Sequence, residues 1–278
     1  MSKSENGRRQ RTRGARKRRV VSLTAGWSQS DTHSGISIHF GQKEKLIEVF
    51  IFLFLIVPSL VLSFSVTKPG ALSFVLVSSV TILRDLALVS LVLFFLWHNR
   101  EHVIDIGWTL RNGWKEVGLG IGLYIPLFFG VSALESALQA AGLSVPSTPL
   151  PALVGKKGVT EFLLAFILVI VVALAEETSF RGYLILRFKA ITQSPAASIL
   201  LSSAIFSLGH GYEGSAGVVT VGVMGAVFAL VYLWRQSLVA PIVMHFLRDF
   251  IGFGIVLVPL LLRKSRRMMF CLHKKEEK

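Results

Sequence analysis

Two adjacent carboxylates, Glu176 and Glu177, close an apolar run from Phe162 to Ala175, and Arg181 follows them. An ionised side chain at membrane depth costs roughly 2.5–3.5 kcal/mol even on the lenient insertion scale, so such residues mark sites by default. Helical residues advance about 100° each. Glu177 and Arg181, at i and i+4, should therefore meet as an ion pair. Glu176 points about 100° away and stays available. A carboxylate left unpaired among apolar groups suits general-base work near neutrality. A plain reading of the same residues is a solvated helix end with one ion pair.

Two further groups follow. "FSLGHGYEG" sets Phe206 and His210 one turn apart, with Gly209, Gly211 and Gly214 permitting close backbone approach. "MHFLRDF" sets His245 and Asp249 on one helix face, where the carboxylate orients the imidazole and fixes its tautomer. Arg248 projects elsewhere, toward a lipid phosphate or Glu177. Taken singly, the first of these reads as an interfacial anchor and the second as a polar pair joining helices.

The elements that must position these residues are apolar. Of the 278 residues, 52% are hydrophobic and the mean hydropathy is +0.62. The apolar residues fall in runs long enough to cross a hydrocarbon layer of about 30 Å. In lipid such runs must be helical, because backbone groups find no other partners there. The fold expected is an all-α polytopic transmembrane bundle. Candidate spans are Leu46–Val66 (containing Pro58), Ala71–Trp97, Val117–Ala141, Phe162 toward Phe188, Ala196–Leu208, Gly217–Trp234 and Leu238–Leu262. Arg84 and Asp85, inside the second, read as a bundle-facing pair. Residues 98–115 read as a basic interfacial loop anchored by Trp108 and Trp114.

Net charge is +14, much of it in residues 8–19 and 263–278. Basic flanks at both ends predict cytoplasmic termini and an even number of spans. Six to eight spans are expected, and eight are preferred if the last block breaks near Gly252 and Gly254. The organisation read from this is a disordered basic tail (1–45), N-terminal transmembrane helices (46–154), a catalytic core (155–262) and a second basic tail (263–278). Anionic lipid head groups are the expected partners of the tails, and nucleic acid is not expected. The lone cysteine, Cys271, allows no internal disulfide and, with seven residues after it, is not expected to be prenylated. No cleaved secretory signal is expected, although the Arg-rich start is compatible with a transit peptide.

Glu-Glu-x-x-x-Arg, then Phe-x-x-x-His, then His-x-x-x-Asp, in this order on successive membrane helices, resembles the CPBP family. That family comprises the type II CAAX prenyl proteases and the bacteriocin-processing or immunity (Abi) proteins. The resemblance covers roughly residues 155–262, and the first half is similar only in its hydrophobic spans and a "DIGW" loop. It implies intramembrane proteolysis. Glu176 and His210 would activate a water, His245 and Asp249 would support the oxyanion, and Glu177 with Arg181 would form a structural ion pair, with Phe206 as motif support. Position 249 holds Asp where prenyl proteases have Asn. An ionised Asp cannot donate to an oxyanion, so Asp249 is expected to orient His245. The substrate implied is a membrane-associated peptide or lipidated protein, and the setting a multi-pass protein of a bacterial plasma membrane.

No cofactor is expected. A divalent metal such as zinc, held by Glu176, His210 and His245, is the alternative. "HNREH" (98–102) also fits an inverted zinc motif, but nothing near it in sequence supplies a third ligand or a cleft. Two other classes compete: an immunity or scaffold protein that keeps the motif as helix glue, and a transporter, for which Arg84, Asp85 and Glu135 would argue.

Overall fold

The computed structural model describes residues 35–64, 73–110, 112–145 and 159–252. Every regular element among them is helical. In chain order these are α1 (Gly35–Ser63), α2 (Phe74–His98), a 3₁₀ turn (Val103–Ile106), α3 (Gly113–Ala140) and α4 (Val159–Glu176). A π-helical stretch, Glu177–Leu184, continues α4 without a break into α5 (Ile185–Thr192). Then come α6 (Pro195–Leu208), a second 3₁₀ turn (Gly211–Glu213), α7 (Gly214–Arg235) and α8 (239–252).

Five stretches are long and apolar enough to cross a membrane: Gly41–Ser63, Phe74–His98, Gly113–Ala140, Glu161–Thr192 and Gly211–Arg235. They leave large apolar side chains such as Phe50, Phe54, Leu83, Phe129 and Leu230 exposed, as a lipid-facing surface requires. The run expected as a fifth span is α6. Its 14 residues rise about 21 Å, short of the hydrocarbon thickness. α8 runs unbroken through Gly252, and the break expected near Gly252 and Gly254 lies at the edge of the described residues. Residues 1–34, the second tail, Cys271, and most of the two loops at 67–70 and 144–158 lie outside them, whereas residues 35–45, expected as part of a disordered tail, form the start of α1.

The local chemistry of the elements follows from their residues. Ser194 caps α6 by accepting from the Ala197 N–H at 3.2 Å, with Pro195 in the first turn, where its missing N–H costs nothing. The π stretch is wider than an α-helix and frees carbonyls from the α pattern. One of these, Phe180 O, accepts from the Ser202 hydroxyl of α6 at 2.6 Å. Across the stretch, Gly182 lies against the 3₁₀ turn of the 98–115 segment, so closely that a Cβ there would sit 2.9 Å from Ile106 O. That segment is therefore more than an interfacial loop. Trp114 is 90% exposed as an anchor should be, but Trp108 donates its indole N–H to Thr178 at 3.1 Å.

A buried network locks the same region from the other side. The Arg187 guanidinium, fully buried, donates to Glu48 of α1 at 2.8 Å and in bidentate fashion to Glu101 at 2.8 and 2.7 Å. Tyr183 and Asn99 also donate to Glu48. Charges this deep are tolerable because every partner is paired and hydrogen-bonded. The network fixes the far end of the helix that carries Glu176.

Candidate active site

Five of the six singled-out ionisable residues converge where the π stretch meets α8. Arg181 donates to Glu177 Oε1 at 2.9 Å, the pair expected from i,i+4 spacing, with both side chains almost wholly buried. The same Oε1 also accepts from His245 Nδ1 at 2.8 Å. A carboxylate only accepts, so Nδ1 carries a proton. His245 Nε2 then points between Asp249 Oδ2 at 3.5 Å and Glu176 Oε2 at 3.7 Å. Glu176 and Asp249 are 16% and 31% exposed, while Glu177 and His245 are sealed. The carboxylate predicted to be free is thus the more open of the pair.

Packing enforces this arrangement. The Arg181 guanidinium lies 4.0 Å above the Phe206 ring and 5.3 Å from Phe228, a desolvated cation–π setting. Phe206 and Phe228 also stand 6.0 and 5.7 Å from the His245 ring. Room for the guanidinium comes from Gly225 of α7, where a Cβ would fall 3.0 Å from Arg181 Nη2. Phe206 therefore does more than support a motif, since it is the wall shared by Arg181, His210 and His245.

His210 is placed differently from the expectation. Its ring packs on Phe206 with centroids 4.8 Å apart, and Nδ1 donates to the Phe206 carbonyl at 3.1 Å. It makes no hydrogen bond with Glu176, His245 or Asp249 among the described residues. The carbonyl accepts, so Nδ1 holds the hydrogen and Nε2 carries the lone pair, the form a base or acceptor needs. Its turn is tied to α1, where the Ser63 hydroxyl donates to Leu208 O at 3.0 Å and accepts from the Gly211 N–H at 3.2 Å.

The side chains proposed for a metal do not form a ligand set. Among the described residues no three His, Cys, Asp or Glu side chains are placed to hold an ion. His210 lies apart from Glu176 and His245, and Glu177 takes one nitrogen of His245. In the HNREH stretch, Glu101 is committed to Arg187.

Sequence reasoning missed two neighbours. Asp85 of α2 is buried, with Oδ1 held by Arg84 at 2.7–2.8 Å and Oδ2 unpartnered, and it shares the electrostatic field of Glu176 and His245. Of the pair expected to face the bundle, Asp85 does so, while the Arg84 side chain is 43% exposed. Tyr212, two residues beyond His210, lies 5.7 Å ring to ring from that histidine. The only sequence signals for them were a charge inside a span and adjacency to a motif histidine. Arg248 lines a small recess of about 90 Å³ with Tyr124, Phe128, Val131, Met224 and Glu135. Arg248 has no ion-pair partner among the described residues.

Comparison with known proteins agrees with the motif resemblance. Residues 158–251, about a third of the chain, match the family model described as type II CAAX prenyl endopeptidase Rce1-like. The chain matches no curated protein and no solved structure. All three motifs fall within the matched segment, whereas Arg84 and Asp85 fall outside it. Residues 158–251 are thus similar to the Rce1-like type II CAAX prenyl endopeptidases, in line with the CPBP group that the motifs resemble.

Proposed function

We propose that the protein is an intramembrane endopeptidase that hydrolyses a membrane-associated peptide with a water activated by Glu176. The observation that carries this reading is the convergence of Glu176, Glu177, His245 and Asp249 within 3.7 Å steps at the only partly open end of an apolar bundle. Glu176 takes a proton from the water. The water oxygen bonds to the scissile carbonyl carbon, and the carbonyl electron pair moves to oxygen. Collapse of that tetrahedral species breaks the C–N bond, and Glu176 returns its proton to the leaving nitrogen. His210 Nε2 is a second acceptor that orients the water. His245 faces the developing oxyanion, Asp249 orients it, and Glu177 with Arg181 holds the imidazole from behind. The reaction drawn this way uses no metal.

The substrate proposed is membrane-embedded or lipid-anchored, such as a prenylated CAAX-type protein or a leader peptide, and it enters between helices from the bilayer or from the cytoplasmic face. We further propose an even number of spans, eight by preference, with both basic termini cytoplasmic and the bacterial plasma membrane as the setting. Basic tails near anionic lipid would concentrate such substrates. The mutual pairing of Arg181, Glu177 and His245 also favours a second reading, a scaffold or immunity protein in which the motif only joins helices.

One experiment separates the two. Purified wild type, Glu176→Gln and His210→Ala are incubated with a prenylated CAAX peptide and with a membrane-anchored leader peptide, and fragments are read by mass spectrometry. Cleavage by wild type that disappears in both variants at unchanged folded yield supports hydrolysis. Equal cleavage by wild type and Glu176→Gln refutes it.

A further inference from the structure

A tetrahedral intermediate needs hydrogen-bond donors aimed at its oxyanion. The donors implied at the third motif are poorly supplied in this chain. His245 Nδ1 is taken by Glu177, and Nε2 stands between the carboxylates of Asp249 and Glu176 at 3.5 and 3.7 Å. Ionised carboxylates only accept hydrogen bonds. With Glu176 holding the proton of the water, an oxyanion arriving there still meets the charge of Asp249 and a single imidazole. A donor from elsewhere has to complete the site.

Tyr212 is placed to be that donor. It sits on the 3₁₀ turn Gly211–Glu213, directly after His210, with its ring 5.7 Å from the His210 ring. It is half-buried, and the charges of Glu213, Glu176, Asp249 and Arg84 act on it. Its hydroxyl has no hydrogen-bond partner among the described residues. A phenol is a strong donor that stays neutral near pH 7. The turn is held by other elements: the Gly211 N–H donates to Ser63 of α1, and the Ala216 N–H donates to Ser144 O beyond α3 at 3.0 Å. Gly211 itself rests on the Phe64 ring, where a Cβ would come within 2.5 Å. Such a turn holds the phenol in place before substrate arrives, which is what makes an oxyanion donor effective.

We propose that the Tyr212 hydroxyl donates to the oxyanion of the intermediate, supplying the donor that Asp249 cannot. The proposal rests on the hydrolytic reading above, and its test separates the two. Kinetics of wild type, Tyr212→Phe and Glu176→Gln are measured on the lipidated peptide that wild type cleaves, together with affinity for a phosphinate analogue of it, whose tetrahedral oxygens stand in for the oxyanion. The expected result is an inactive Glu176→Gln and a Tyr212→Phe whose kcat falls about 10²-fold, the cost of one lost oxyanion donor. KM should stay unchanged, and phosphinate affinity should fall in step with kcat. A Tyr212→Phe with wild-type kcat beside an inactive Glu176→Gln overturns the role of Tyr212 alone. A raised KM with unchanged kcat overturns it as well, by making Tyr212 a substrate contact. A fully active Glu176→Gln overturns both ideas together. If Tyr212→Phe does not fold, 3-fluorotyrosine at position 212 keeps the ring and strengthens the donor, and an unchanged kcat there overturns the proposal.

Discussion

Replacing Arg181 by methionine tests whether the ion pair is the structural base of the site. The guanidinium donates to Glu177 at 2.9 Å with both partners sealed from solvent. At that distance, and at an effective dielectric of about 20, the attraction is about 6 kcal/mol before desolvation is subtracted. Desolvation cancels much of this in the intact protein, so the pair contributes little net stability. Removing one partner is a different matter. Glu177 would stay buried with only His245 against it, a situation that typically costs about 3–5 kcal/mol. Loss of the desolvated contact with Phe206 at 4.0 Å adds up to about 2 kcal/mol, partly offset by the methionine sulfur on the same rings. The expected outcome for Arg181→Met is a loss of about 3–5 kcal/mol in denaturant unfolding of the detergent-solubilised protein, seen also as lower folded yield. Glu177→Gln in the same background should recover most of it, because the neutral amide needs no counter-charge. If Arg181→Met unfolds within about 1 kcal/mol of wild type, the range of a surface pair, the pair does not brace the site. If the double variant is no better than the single one, buried charge is not the cause of the loss.

Two further outcomes follow from contacts already described. Gly182→Ala would drive a Cβ to 2.9 Å from Ile106 O and 3.2 Å from Ile106 Cβ, and backbone cannot yield as a flexible side chain can. Unfolding measurements should show a loss of about 1–3 kcal/mol, and an unchanged midpoint would mean that the 3₁₀ turn is not docked on the π stretch. Asp249→Asn should keep cleavage of the lipidated peptide within about tenfold of wild type or raise it, because the amide still accepts from His245 and adds a donor where a charge repelled the oxyanion. Complete loss of turnover in that variant would show that the carboxylate charge itself is needed.

The parts of this site legible in the sequence are those fixed by spacing along one helix. Glu177 and Arg181 meet because four residues separate them, and His245 and Asp249 lie near each other for the same reason. The helical class followed from hydropathy, because lipid permits no other backbone solution for such runs. The contacts that escaped notice join distant parts of the chain. The His245–Glu177 bond spans 68 residues. The π stretch is not visible in "ETSFRGYL", because what stabilises it comes from elsewhere: Ser202 takes its freed carbonyl, Trp108 holds Thr178, and Gly182 admits Ile106. Arg187 was not singled out in the sequence. It proved to be the centre of a network whose carboxylates come from α1 and the segment after α2.

His210 shows why motif order alone does not fix a site. Its spacing of four residues from Phe206 does bring the two rings together. But α6 ends at Leu208, so His210 lies past the helix, on a turn whose direction is set by Ser63 and by the contact of Gly211 with Phe64. Both belong to the end of α1, outside the segment matched by the Rce1-like family. The same holds for Asp85 and Arg84 on α2. The matched segment therefore supplies the acid, the imidazoles and the buried ion pair. The N-terminal helices decide how far His210 stands from Glu176 and what charge the site sees. Differences among proteins that share these three motifs can then arise from helices in which no motif is visible, through the position of one turn and the charge of one buried carboxylate.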